Sequence, residues 1–153
     1  MKQLLIVYHT QTGLTEALAR AALDGARDPA ITGIEPKLLR AVDAGVPDLM
    51  QADALILGTP ENFGYMSGGL KDFFDRTFYP CEGRLQGLPY AVLISAGNDG
   101  TGAHNAIKRI ARGFPLKEVH PALIVKGEVE QTHLTASREL GMALAAGLEL
   151  GVF

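Results

Sequence analysis

The sequence predicts a three-layer α/β domain: a doubly wound sheet of five parallel strands in order 2-1-3-4-5, with helices on both faces. Three observations predict it. Short apolar runs, Leu4–Val7, Ala54–Leu57 and Tyr90–Ile94, have the composition of strands covered on both faces. Segments with apolar residues at helical spacing alternate with them. Among the five strand segments only two contain proline, Pro36 and Pro121. Proline cannot donate to a ladder, so those two strands belong at the edges and the uninterrupted ones inside.

Each element has its own justification. Gln3–Tyr8 is the first strand, and the helix over Gly13–Ala26 follows, with Leu14, Ala17, Leu18, Ala21 and Ala22 at helical spacing. Ile34–Leu39 is a weaker strand containing Pro36, and Val46–Ala52 is a short helical or turn segment. Ala54–Gly58 is the third strand. Leu70, Phe73, Phe74, Thr77 and Phe78 mark a helix over Gly68–Tyr79. Tyr90–Ser95 is the fourth strand, and Ala103, Ile107, Ile110, Ala111 and Phe114 stripe the next helix. Val119–Val125, containing Pro121, is the fifth strand. Thr132–Leu150 is the final helix, with Leu140, Leu144 and Leu148 on one face. A single domain over residues 1–153 is expected, long enough for a sizeable core, with no repeat or linker.

Composition narrows the function. The formal net charge of −3 gives no electrostatic case for nucleic acid or an anionic membrane. No apolar run approaches the roughly 18 residues that span a bilayer, and Met-Lys-Gln leads straight into the first strand, so neither membrane insertion nor a signal peptide is expected. Cys81 is the single cysteine, so no intrachain disulfide forms; that suits a reducing cytosol, the expected location. The four histidines lack metal-ligand spacing, so no metal is expected.

Three loops carry the chemistry. In the predicted order the topological switch point lies between strands one and three, and ligands bind outside the strand C-termini there. The first strand ends in His9, Thr10, Gln11, Thr12, Gly13, Leu14 and Thr15, a hydroxyl-rich turn opening a helix. Unpaired N–H groups and the positive helix end, with hydroxyl donors beside them, can bind a phosphate without a lysine. The turn has neither the GxxxxGK[ST] nor the GxGxxG pattern of the commoner phosphate loops. The loop after strand three, Gly58–Gly69, holds Pro60, Glu61, Asn62, Phe63, Gly64 and Tyr65; its aromatics suit a planar ligand. The loop after strand four, Ala96, Gly97, Asn98, Asp99, Gly100, Thr101 and Gly102, offers small residues, backbone donors and no aromatic.

Together these loops resemble the flavodoxin-like family of FMN proteins. Ile6–Thr15 with Ala19 matches the family's phosphate-loop pattern, and GTPENFGYMSGGLKDFFDRT is similar to the flavin loop and helix of the NAD(P)H:quinone oxidoreductase and FMN reductase branch. The 2-1-3-4-5 order is that by which the family's topology is known, so it adds no independent support. The resemblance implies that Thr10, Gln11, Thr12, Gly13, Leu14 and Thr15 wrap the FMN phosphate, with His9 at the loop's entrance. Pro60, Glu61, Asn62, Phe63, Gly64 and Tyr65 would line one side of the flavin ring. Ala96, Gly97, Asn98 and Asp99 would meet its pyrimidine edge. Electron-carrier flavodoxins are usually more acidic and commonly hold an aromatic in the third loop, and the longer quinone oxidoreductases carry inserted segments absent here.

The resemblance therefore implies an FMN-binding oxidoreductase passing electrons from NAD(P)H to a quinone or similar acceptor, with no catalytic side chain named and a homo-oligomer left open. The alternative is a single-electron carrier without NAD(P)H activity, working through a redox protein. A phosphoacceptor receiver domain on the same topology is disfavoured, because Tyr8-His9-Thr10 and Gly58-Thr59-Pro60 stand where it needs acids. Lys108, Arg109 and Arg112 form a basic helical face that reads as solvated surface, with contact to the extra phosphate of NADPH as the rival. His104 reads as a solvent-facing helical histidine, with the flavin edge within reach as the rival.

Overall fold

The computed structural model describes residues 1–153. In chain order the elements are β1 (Lys2–Tyr8), α1 (Leu14–Ala26), β2 (Ile34–Arg40), α2 (Val46–Gln51), β3 (Ala54–Asn62), β4 (Tyr65–Met66) and α3 (Gly68–Cys81). They continue as β5 (Pro89–Ala96), α4 (Thr101–Gly113), β6 (Lys117–Glu118), β7 (Leu123–Lys126) and α5 (Gln131–Leu150). The sheet runs β2-β1-β3-β5, with β6 and β7 sharing the far edge of β5, all parallel. This is the expected order, and Pro36 sits on the edge strand β2 opposite Leu4. No helix is long and apolar enough to cross a membrane.

Two segments differ from the sequence reading. The fifth strand is split. Tyr90 pairs with Glu118 and Leu93 with Leu123, so two extra residues enter the edge strand around His120 and Pro121. Proline lacks the N–H that an unbroken ladder would use there. The third strand, in turn, does not stop at Gly58. It continues to Asn62 and folds back as an antiparallel hairpin, Glu61 opposite Met66 and Asn62 opposite Tyr65. Phe63 and Gly64 make its turn with φ of 53° and 70°, the left-handed pair of a tight hairpin. Pro60 is tolerated inside this strand for a geometric reason. Gly58 faces β1, accepting from the His9 N–H at 3.0 Å, and Pro60, two residues on, faces the same side where β1 has ended.

The sheet divides two cores. On one face Leu49, Phe73, Phe74, Ile107 and Phe114 pack under α2, α3 and α4. On the other Leu18, Leu23, Leu140 and Leu144 join α1 to α5. Those two helices touch backbone to backbone. A Cβ on Gly25 would overlap the Arg138 carbonyl, and one on Gly141 the Ala22 carbonyl. Ser137 Oγ donates to the Leu18 carbonyl at 2.6 Å in the same buried seam. Neither helix can move away without opening the core, so Gly141→Ala is expected to lower stability by about 1–3 kcal/mol through overpacking. Chemical denaturation measures this; an unchanged midpoint would mean the helices are not so closely seated.

Candidate cofactor site

The strand C-termini open onto a crevice of about 690 Å³. Its wall is Gln11, Thr12 and Leu14 after β1; Pro60, Glu61 and Asn62 on β3; Ser95, Ala96 and Gly97 at the end of β5; and Gly127, Glu128 and Val129 after β7. The volume is in the range of cofactor sites, roughly 300–1,000 Å³. Of the expected residues, His9, Thr10, Gly13, Thr15, Phe63, Gly64, Tyr65, Asn98 and Asp99 stand outside this wall. Ser95 and the β7–α5 loop were not expected. The signal for that loop was the fifth strand itself: its C-terminus faces the same crevice, and Gly127, at φ 77°, donates to the Ala96 carbonyl at 2.8 Å.

The turn after β1 is a cradle of neutral donors. Gly13 at φ 96° starts α1, and its N–H donates to Thr10 Oγ1 at 3.0 Å. The hydroxyl hydrogen of Thr10 stays available. The first bond of α1 runs from the Ala17 N–H to the Gly13 carbonyl, so the amides of Leu14, Thr15 and Glu16 have no acceptor within the chain. No lysine or arginine lines the crevice. A phosphate fits this end of it: free N–H groups and a helix dipole supply what an anion needs.

Side chains from separate loops are bonded to one another around the crevice. Glu61 reaches α4, accepting from the Gly100 N–H at 3.2 Å through Oε1 and from the Ala103 N–H at 3.1 Å through Oε2. Its carboxylate therefore caps a helix as well as standing in the wall. Asn62 Nδ2 donates to Gln11 Oε1 at 2.7 Å, joining hairpin to phosphate-type turn. Thr59 Oγ1 donates to the Pro60 carbonyl and accepts from the Ser67 N–H at 2.9 Å, while Ser67 Oγ caps α3 at Leu70. The Thr15 hydroxyl is buried against Ser95 Oγ at 2.8 Å, so what Thr15 can offer a ligand is its backbone N–H. Asp99 turns back onto the Thr101 N–H and hydroxyl, and these bonds hold its carboxyl below the usual range.

The remaining residues fall on the flanks. The His9 ring lies against Gly69, where any Cβ would collide with it. Burial, and secondarily the charge of Arg40, push the His9 pKa down. His104 is not solvent-facing: its Nε2 lies 2.7 Å from Glu118 Oε2 on β6, away from the crevice wall. Cys81 is a buried free thiol whose pKa is raised by burial. Phe63 and Gly64 form the exposed hairpin tip, with α4 running beneath it at Gly102, where a Cβ would strike the Gly64 carbonyl.

This arrangement has many counterparts among solved structures, and they define its class. A flavodoxin from the domain Archaea superposes with a TM-score of 0.85 at 22% identity, covering 96% of this chain and 99% of that one. Oxidised flavodoxin 1 from Bacillus cereus gives 0.79 at 19% identity, covering 99% of each. The fold is flavodoxin-like. More narrowly, residues 40–128 match the family described as NADPH-dependent FMN reductase, and the chain belongs to that family. Among its relatives is an Acidithiobacillus ferrooxidans NAD(P)H dehydrogenase (quinone), 30% identical over 83% of this chain and 71% of that one. A Paracoccus denitrificans protein of the same name is 30% identical over 95% and 80%. A flavodoxin from Aquifex aeolicus is 33% identical over 67% of this chain, and the match spans about half, 54%, of that protein's length.

Two outcomes follow from the geometry. Glu61→Ala leaves the Gly100 and Ala103 amides without their acceptor, and is expected to cost about 1–2 kcal/mol and to speed hydrogen exchange at both amides. Unchanged exchange would show that the cap is unimportant. The lowered His9 pKa means that the unfolded chain binds this proton more readily. Stability should therefore fall as pH drops through the ordinary histidine value of about 6.5 toward the folded pKa. An NMR titration with a His9 midpoint at or above the ordinary value would contradict this.

Proposed function

We propose that this chain is an FMN-dependent oxidoreductase that takes electrons from NAD(P)H and delivers them to a quinone or similar acceptor. The observation that carries the reading is the crevice at the switch point, with a cation-free phosphate cradle at one end and a small-residue wall, Ala96 and Gly97, at the other. The names borne by the Acidithiobacillus and Paracoccus relatives support it. FMN, when bound, supplies the hydride-accepting and electron-donating chemistry.

The residues would divide the work as follows. The backbone N–H groups of Leu14 and Thr15 and the hydroxyls of Thr10 and Thr12 bind the phosphate. Gln11, held by Asn62, fixes the mouth of the cradle, while Pro60 and Asn62 line the flavin ring. Gly97 brings its backbone donor to the pyrimidine edge beside the small Ala96, where negative charge is stabilised by nearby N–H groups. The absence of an aromatic over that wall leaves room for donor and acceptor to approach in turn. Asp99 and Glu61 act from behind, holding the start of α4. The net charge of −3 argues against nucleic-acid partners, and the lone buried Cys81 suits a reducing cytosol.

The test is anaerobic reconstitution with FMN followed by NADPH. The expected result is a perturbed flavin spectrum on binding, then loss of the visible absorbance on adding NADPH, restored by a quinone. A bound flavin that NADPH leaves oxidised would instead favour an electron carrier reduced by a protein partner.

A further inference from the structure

A second groove lies beside the crevice. It has a volume of about 350 Å³ and is formed by Tyr65 with Gly102, Asn105, Ala106, Arg109 and Arg112 of α4. The helical residues recur at three- and four-residue spacing, so they form one stripe, roughly 15 Å long by the helical rise. Crevice and groove belong to the two arms of one hairpin: Glu61 and Asn62 wall the first, and Tyr65 stands at the head of the second.

The chemistry of this groove is one-sided. Neither Arg109 nor Arg112 forms an ion pair, although Arg20, Arg76 and Arg138 each do. The α4 sequence, TGAHNAIKRIARG, contains no acidic residue, and Glu118 on neighbouring β6 is engaged by His104. Other unpaired cations exist on the surface, such as Arg27. The pair on α4 differs in sharing a groove with an aromatic that is 41% exposed and in adjoining the hairpin of the cofactor crevice. The groove between α1 and α5, lined by Arg20, Arg27 and Arg138, contains Asp24 and no aromatic, and it lies away from the hairpin.

We infer that this groove holds the adenosine half of NADPH, with Arg109 and Arg112 taking the ribose 2′-phosphate and the Tyr65 ring carrying the adenine. The inference rests on the reading that a nicotinamide nucleotide is the electron donor, and it adds where and how NADPH is told from NADH. A purine stacks on a tyrosine face. A phosphate dianion matches two guanidinium forks that have no carboxylate to compete for them. Asn105, one turn before Arg109, presents an amide to the same groove.

The deciding experiment is calorimetric titration of the purified protein, with and without FMN, using 2′,5′-ADP and 5′-AMP as probes. The expected result is that 2′,5′-ADP binds more tightly by about tenfold or more, as charge-assisted bonds to a phosphate allow. In R109A/R112A that margin should vanish while 5′-AMP binding and Tm stay as they were, and R109K/R112K should recover part of it. In turnover the same double variant should raise KM for NADPH by about tenfold and leave KM for NADH and kcat unchanged. Equal affinity of the wild type for both probes, no binding of either, or a margin that survives R109A/R112A would overturn the inference. Failure of both NADH and NADPH to reduce bound flavin would count against the oxidoreductase reading instead. The probe titration involves no turnover, so it decides the groove separately.

Discussion

The carboxylate of Glu61 is the contact on which the shape of the crevice depends. Helix α4 begins after Gly100, a left-handed residue with no side chain; Asp99 accepts from the Thr101 N–H, but the Gly100 and Ala103 N–H groups have no local acceptor. Glu61 supplies one from another element, accepting from the Gly100 and Ala103 N–H groups and placing negative charge at the positive end of the helix. The same bonds fix the hairpin arm that carries Pro60 and Asn62. From there the constraints propagate: Asn62 to Gln11, Thr59 to Ser67, and Thr15 to Ser95. Loops far apart in sequence are thus held in one geometry before any ligand arrives, which lowers the ordering cost of binding.

This arrangement also assigns charge. Of the three acids at or near the crevice, Glu61 and Asp99 are directed at the start of α4, and Glu128 stands in the wall after β7. The phosphate-type turn carries no charged side chain and works through backbone amides and hydroxyls. An anion is therefore attracted to the β1 end by dipoles. Cations are found one step away, on the outer stripe of α4, where they leave the cofactor end unaffected and face whatever approaches over the hairpin. On the proposed reading, the turn after β1 and the arginines of α4 lie to either side of the hairpin, and cofactor and donor would be recognised independently.

Much of the fold was legible in the sequence, because its determinants are local. Short continuous apolar runs bounded by turn residues read as strands buried on both faces, and Pro36 pointed its strand to an edge. What was not legible depended on partners distant in sequence. The hairpin after Gly58 reads as a loop because Pro60, Phe63 and Gly64 are turn residues; only the end of β1 makes Pro60 harmless and extends the strand. The split of the fifth strand at Pro121 was visible as a proline, but the two-residue shift in register was not. The sequence points to a crevice at the switch point, and one lies there, yet the role of Glu61 as a cap for α4 and the closure of the wall by Gly127–Val129 needed tertiary contacts. The hydroxyl of Thr15 belongs to the same group: its partner, Ser95, lies across the sheet.

One crevice, built by the loops after β1, β3, β5 and β7, is proposed to receive the flavin nucleotide phosphate-first at the start of α1. Amide NMR during titration with FMN tests it most directly. The largest shifts are expected at Thr12, Leu14, Thr15, Asn62, Gly97 and Gly127, with the α1–α5 groove around Arg27 and Arg138 unmoved. Shifts concentrated in that groove, or no shift at the amides of Leu14 and Thr15, would contradict it.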